Sequence, residues 1–316
     1  MRITFLGNHQ VSYSSETHHA NSLELLGHTV DRLQEGQATG QDFLESSRHS
    51  DMAVVVHTHG WVTPGMPLHD ALSELNGLRI PTVTYHLDLW RGLTRQRDLD
   101  DDPFYRAIGW FFTVDKLMAD WLCHNTAVKG RFLPAGVYGP ESFIPGGDWD
   151  SPNANDVIFV GSRSYHPEWT WRPELIDWLR ATYGKRFTHI GPDGDTGTVR
   201  GWDLNAAYSR SKVAVGDTLC LGFNYPYYSS DRLFEAAGRG AFQLYPRITG
   251  LDEWFTDGEH LRYFDFGDFD QLESLIDHYL TCDAEREIIR LAGHRHAREH
   301  HTYTHRWQSI IEQVFA

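Results

Sequence analysis

An apolar run that ends in glycine and a small polar residue occurs twice in this chain, as Arg2-Ile-Thr-Phe-Leu-Gly7-Asn8 and as Asp156-Val-Ile-Phe-Val-Gly161-Ser162. A short, nearly unbroken apolar run reads as a strand buried on both faces, the situation of a parallel sheet covered by helices. After the first run, further strands are predicted at 52–57, 82–86, 110–114 and 131–133, with helical apolar spacing at 15–26, 67–76 and 115–124. After the second come a helix over 168–182, a strand at 186–190, a helix over 202–209, a strand at 212–215, a helix over 231–238, strands at 241–245 and 261–264, and three closing helices. A strand-helix rhythm that restarts once predicts an α/β protein of two similar doubly wound sheets.

The break lies at 136–155, where two prolines precede a Pro-Gly-Gly turn and a polar stretch follows; it reads as a linker. The expected domains are therefore 1–150 and 151–316, with the last helix returning to pack on the first. The formal charge of -15 disfavours polyanions and anionic membranes on average. A local exception is the C-terminal group of Arg286, Arg290, Arg295, Arg298 and Arg306, set among histidines. Cys123, Cys220 and Cys282 form neither a disulfide framework nor a paired metal motif, so a reducing cytoplasm is expected. No run has the length of a membrane span, and membrane insertion is not expected. Asp98-Leu-Asp100 and Asp148-Trp-Asp150 sit in polar turns rather than at strand ends, so no metal site is assigned.

In doubly wound sheets ligands bind beyond the carboxyl ends of the strands. Among the segments placed there is Ser230-Asp-Arg-Leu-Phe-Glu235-Ala-Ala-Gly-Arg-Gly240. Two readings fit it. If Ser230 caps a helix, Arg232 and Glu235 share one face near its positive end, where a guanidinium and free N–H groups suit a phosphate. Alternatively, the pair is a surface ion pair on a small-residue packing helix.

The order of features in the second half resembles the nucleotide-sugar domain of GT-B glycosyltransferases, especially those grouped with the spore-maturation CgeB proteins. The similarity rests on the segment just quoted, on Gly250-Leu-Asp-Glu-Trp-Phe255 with Asp257-Gly258-Glu259, and on the ending Ala292-Gly-His-Arg through His300-His-Thr-Tyr303-Thr-His305-Arg306. It implies a GT-B fold, two Rossmann-like domains facing a central cleft, and transfer of a sugar from a nucleotide-diphosphate donor, UDP- or GDP-linked, to an acceptor hydroxyl. Retention of configuration and independence from metal are implied as well, the nucleotide sugar being a co-substrate with no further cofactor. By match, Glu235 would hold the ribose, and Arg232 with Ser230 and Asp231 the diphosphate. Gly161 and Ser162 would form the glycine turn, Arg172 or Arg163 would add a cation, and Gly191 would line the base pocket. Tyr227 stands where many retaining relatives carry a second glutamate.

The first half is similar to the acceptor side of such enzymes. Gly7 would admit donor phosphate or sugar, with Asn8, Ser15, Glu16, His57 and Trp61 lining the acceptor site; capping of the first helix is the competing role for Glu16. Thr82-Val-Thr-Tyr-His86-Leu-Asp88 ends a strand in two groups suited to chemistry. His86 would lie against the transferred sugar, and Asp88 would be a general base or an acceptor clamp. A modified nucleobase, a protein or a glycan all fit as acceptor, so nucleic acid enters only in that role. The alternatives are a nucleotide-sugar epimerase on the same fold and a non-catalytic nucleotide-sugar-binding protein.

Overall fold

The computed structural model describes residues 1–56, 65–89, 102–146, 155–164, 167–218 and 225–316. The chain divides into two compact units, Met1–Pro134 with Tyr303–Ala316, and Ala135–Thr302. His57, Trp61, Asp98, Asp100, Asp148, Asp150 and Cys220 lie outside the described residues.

In the first unit the strands are β1 (Arg2–Gly7), β2 (Thr29–Gln34), β3 (Met52–Val55), β4 (Thr82–His86), β5 (Trp110–Thr113) and β6 (Lys129–Phe132). They pair in parallel in the order β2-β1-β3-β4-β5-β6. The helices are α1 (Ser15–Leu25), α2 (Gly40–Ser47), α3 (Leu68–Gly77), α4 (Phe104–Ala107), α5 (Lys116–Asn125) and the closing α11 (Tyr303–Phe315). Local chemistry starts three of them. Ser14 accepts a hydrogen bond from Thr17 N, Thr39 and Asp42 form a capping box, and Asp115 accepts from Met118 N. Glu16 is thus not the cap of α1. Phe43, Leu72, Val55, Phe111 and Leu122 build the core on one side of the sheet. On α11, Trp307 is fully buried and donates through Nε1 to His19 Nδ1 at 3.1 Å. Burial pushes the His19 pKa down to about 3, with His18 adding a smaller effect, so the ring is neutral.

The second unit holds β7 (Val157–Val160), β8 (Phe187–Ile190), β9 (Val213–Val215), β10 (Gln243–Pro246) and β11 (Arg262–Phe264), all parallel, in the order β11-β10-β9-β7-β8. Its helices are α6 (Trp171–Tyr183), α7 (Gly201–Arg210), α8 (Arg232–Gly238), α9 (Phe269–Thr281) and α10 (Asp283–His300). Both sheets reverse direction beside their first strand, between β1 and β3 and between β7 and β9. That shared topology explains the sequence echo, since Gly7 and Gly161 each end a first strand at a switch point, where ligands of this architecture bind.

The stretch read as a linker is, in its described part, packed structure. Val137 bridges Thr302, and Ser142 Oγ donates to Gly238 O at 2.8 Å. A β-carbon on Gly238 would meet Val137 Cγ1 and Ser142 Oγ at 2.8 Å, so this glycine makes room for the crossing chain. Ser230, expected to cap α8, does not. The helix begins at Arg232 with Asp231 before it and no side-chain cap, and the Ser230 N–H donates to Thr218 Oγ1 at 3.0 Å.

Candidate active site

At the carboxyl edge of the second sheet, Gly161 has φ +145, a backbone state that strains any other residue. A β-carbon there would stand 3.1 Å from both Cζ and Nε of Arg232, so the guanidinium covers the glycine. Gly191 packs equally close, since its β-carbon would meet Gly161 O at 2.2 Å. His189 Nε2 donates to that same carbonyl at 2.7 Å and fixes the turn. The Arg232 guanidinium makes no hydrogen bond among the described residues. Burial opposes its charge, but the neighbouring Asp231, Tyr208, Glu235 and Tyr245 outweigh it and raise its pKa.

Three buried oxygens, Asp217 Oδ1, Ser230 Oγ and Tyr245 Oη, make no hydrogen bond of good geometry among the described residues, although the Tyr245 hydroxyl lies close to those of Ser230 and Thr218. Their carriers are linked through short contacts. Thr218 binds the Ser230 N–H, and the Tyr245 ring lies where a β-carbon on Gly216 would come within 2.4 Å of it. Buried hydroxyls and carboxylate oxygens left unmatched are costly, and sites of this kind are completed by water or ligand.

Not every expected cation is free. Arg172 is buried and donates from Nε to Asp217 Oδ2 at 2.7 Å, which also accepts from Trp169 Nε1 at 2.9 Å. Its Nη1 reaches Ser162 O at 3.4 Å, so Arg172 braces the glycine turn from beneath. Burial raises the Asp217 pKa, against the pull of Arg172. Arg163 forms a two-pronged pair with Asp177 at 2.5 Å, and its N–H donates to Asp193 at 3.0 Å. Glu235 Oε1 accepts from Arg239 Nε at 3.2 Å, and buried Arg239 is bonded in turn to Glu141 and Asn205. The surface-pair reading therefore named the wrong partner: Glu235 pairs one helical turn later, and Arg232 is left uncommitted. Tyr227 has φ +60, its ring lies against Gly250, and its hydroxyl donates to Glu253 Oε1 at 3.0 Å. A carboxylate is present beside position 227 after all, supplied by another segment. In the C-terminal basic group, Arg286 and Arg290 pair with Asp283 and Glu287 on their own helix.

The first unit has a counterpart. A β-carbon on Gly7 would stand 2.8 Å from Glu16 Cγ, so Glu16 covers Gly7 as Arg232 covers Gly161. The room that Gly7 leaves is thus taken by Glu16. Burial raises the Glu16 pKa, its own N–H and Ser14 oppose this, and Glu35 and Asp88 push it further up. Burial raises Glu35 too. Asn8 gives its carbonyl to Ser14 Oγ at 2.5 Å, and Ser15 opens α1. His86, 4% exposed, ends β4 with Nδ1 at 3.2 Å from Asp88 O and 3.3 Å from Asp88 N. Sequence reasoning missed Asp217 and Glu35. The signal for Asp217 was present, because Val215-Gly216-Asp217 repeats the strand-glycine-polar signature of the two echoes.

Residues 172–312 match the family model described as "Glycosyl transferase-like". No curated protein matches the chain. Among solved structures, an alpha-glucosyltransferase in complex with UDP and a 13-mer DNA containing a HMU base is similar with a TM-score of 0.69 and 11% identity, covering 100% of both chains. HepE of Anabaena, solved with UDP and glucose, gives a TM-score of 0.67 and 14% identity over 99% of both chains. Sucrose-phosphate synthase from Thermosynechococcus elongatus gives 0.63 and 12% over 100% of this chain and 99% of that one. The fold is GT-B from end to end. The family match lies within the second half of that architecture. Among the described residues no helix is long and apolar enough to cross a membrane.

Proposed function

We propose that the second unit binds a nucleoside-diphosphate sugar at the carboxyl edge of β7, β9 and β10, and that the sugar passes from it to an acceptor hydroxyl. The observation that carries this is the uncommitted guanidinium of Arg232 over Gly161, beside the unmatched hydroxyls of Ser230 and Tyr245. A cation and hydroxyl donors around a bare backbone suit a diphosphate, whose oxygens accept several charge-assisted bonds. UDP is the favoured nucleotide, since two of the similar structures were solved with it. Glu235, half-buried and steadied by Arg239, is placed to accept from a ribose diol.

In the reaction the bond between the anomeric carbon and the phosphate oxygen breaks, and negative charge develops on the departing diphosphate. Arg232 offsets that charge, so no divalent ion is required in this reading. The acceptor oxygen forms the new bond to the anomeric carbon and releases its proton, a step for which the resemblance offers Asp88 as the base. Activity unchanged by EDTA checks the first point, and proton NMR of fresh product reads the anomeric outcome, for which the resemblance implies retention. The acceptor is a hydroxyl compound, and the reaction belongs in the cytoplasm, in keeping with unpaired Cys123 and Cys282.

Calorimetric titration of UDP, UDP-glucose, GDP and GDP-mannose into wild type and Arg232→Ala tests the site. One donor should bind wild type and weaken sharply in the variant. Equal binding to both would remove the site from Arg232. Incubation with donor alone separates an epimerase, which would change the sugar without an acceptor, and a non-catalytic protein would bind without turnover.

A further inference from the structure

A second cavity lies in the first unit at the opposite, amino edge of its sheet. It is a solvent-open hollow of about 410 Å³ where β4, β5 and β6 begin, between the ends of α3 and α4 and Val314 of α11. Among the described residues its lining holds three cations, Arg79, Arg106 and Lys129, and no carboxylate. In a chain with a formal charge of -15 this is a reversal of local sign. Like charges gathered around one cavity repel unless an anion joins them.

The walls are fixed. Lys129 is in register with Trp110, and its Nζ sits 4.3 Å from the Trp110 ring centroid, with Arg131 Cζ at 5.5 Å adding positive charge to the same ring. Arg79 follows α3 in the left-handed region, φ 62, a strained state for a residue with a side chain. Neither Arg79 nor Lys129 meets a carboxylate within ion-pair distance among the described residues, and Glu74 on the same helix as Asn76 is bridged to Arg48 instead. The rim is tied by Thr82 Oγ1, which accepts from Gly109 N at 2.8 Å and donates to Asn76 Oδ1 at 2.9 Å, while Asn76 Nδ2 donates to Ala107 O at 2.5 Å. Ile80, Pro81, Ile108 and Trp110 supply apolar and aromatic surface between the cations.

We propose that this cavity is a second anion site, separate from the carboxyl-edge residues, which takes a phosphate ester with a small apolar or aromatic body. Arg79 and Lys129 match the charge and oxygens of a phosphate monoester, and the volume falls within the range of small-molecule sites, about 300–1,000 Å³. The ring and aliphatic walls would meet the ester's body. Because the site is remote from the strand ends where ligands of this fold bind, its occupant is an effector or anchor of the protein and not a group that reacts.

The test is calorimetric titration of phenyl phosphate and of inorganic phosphate into the full chain, wild type against the double variant Arg79→Gly/Lys129→Ala and against Arg232→Ala. Glycine accepts the left-handed backbone at 79, and both residues are exposed, so the double variant should keep its fold by circular dichroism. Phenyl phosphate is expected to bind wild type and Arg232→Ala alike and to lose about tenfold or more in the double variant, as expected for two lost charge-assisted contacts. Stronger binding of phenyl phosphate than of inorganic phosphate assigns the ligand to the ester class; equal binding assigns it to the free anion and overturns the role of the apolar wall. Loss in Arg232→Ala with none in the double variant, or no binding to wild type, overturns the site itself.

Discussion

The guanidinium of Arg232 covers the α-carbon of Gly161, with Cζ and Nε both 3.1 Å from where a β-carbon would stand. This one relationship couples a strained turn to the charge proposed to hold the donor, and it makes the two separable by mutation.

Arg232→Ala should weaken nucleotide binding by about 1.5–3 kcal/mol, the worth of hydrogen bonds to a charged group, while leaving the urea midpoint nearly unchanged. The side chain makes no hydrogen bond among the described residues, so its removal leaves none of them unmatched. A large fall in stability together with unaltered binding would contradict this assignment.

Gly161→Ala should cost about 1–3 kcal/mol of stability, because φ +145 is closed to alanine and the new methyl meets Arg232. In the double variant with Arg232→Ala the contact is relieved and the backbone strain stays. Chemical denaturation of the two singles and the double therefore divides the cost into its two parts.

Asp217→Asn leaves the buried Arg172 charge without its counterion, and breaking such a pair costs about 3–5 kcal/mol. Arg172→Met combined with Asp217→Leu should be milder than either single change, since both desolvation penalties disappear. Thermal unfolding of the three proteins checks the order. Additive losses would mean that the pair is not a unit.

His19 makes stability fall on acidification. Its folded pKa of about 3 lies below the unfolded value of 6.5, so the unfolded chain takes a proton that the folded chain refuses. The contribution is full above pH 6.5 and is lost as pH falls from there toward 3, at about 1.4 kcal/mol per unit. His19→Gln, which keeps an acceptor for Trp307, should flatten the unfolding free energy across that window relative to wild type.

Arg79→Gly should raise stability by about 1 kcal/mol, since a left-handed residue with a β-carbon is relieved. An increase in Tm, alongside weaker phenyl phosphate binding, separates the charge from the fold.

The strand-helix rhythm was readable because buried parallel strands are continuous apolar runs, and ten of the eleven described strands were expected near their observed places. The exception among the expected elements of the first unit is β2, Thr29–Gln34, which sits at the sheet edge, half-exposed along its length, and carries Asp31, Arg32 and Gln34; periodicity has nothing to detect there. The short α2 and α4 were also passed over. Ser230 had the composition of a cap, but the helix starts at Arg232 and the buried Ser230 hydroxyl bonds no first-turn N–H. Arg172 could be recognised as a cation near the turn, whereas its commitment to Asp217 depends on two segments meeting in space. The strand-end glycines were legible for a different reason. Close approach by a neighbouring side chain requires that residue type locally, whatever the neighbour is.

The covering of Gly7 by Glu16 and of Gly161 by Arg232 has a consequence for how this fold can change its chemistry. The same niche is present in both halves, and only the sign of the side chain that fills it differs. A carboxylate there favours withdrawing a proton, and a guanidinium favours receiving a leaving anion. One backbone niche used twice thus presents opposite charge at the two strand ends, so reversing the charge of the side chain over either glycine should alter the sign of ligand that half accepts while leaving its sheet intact.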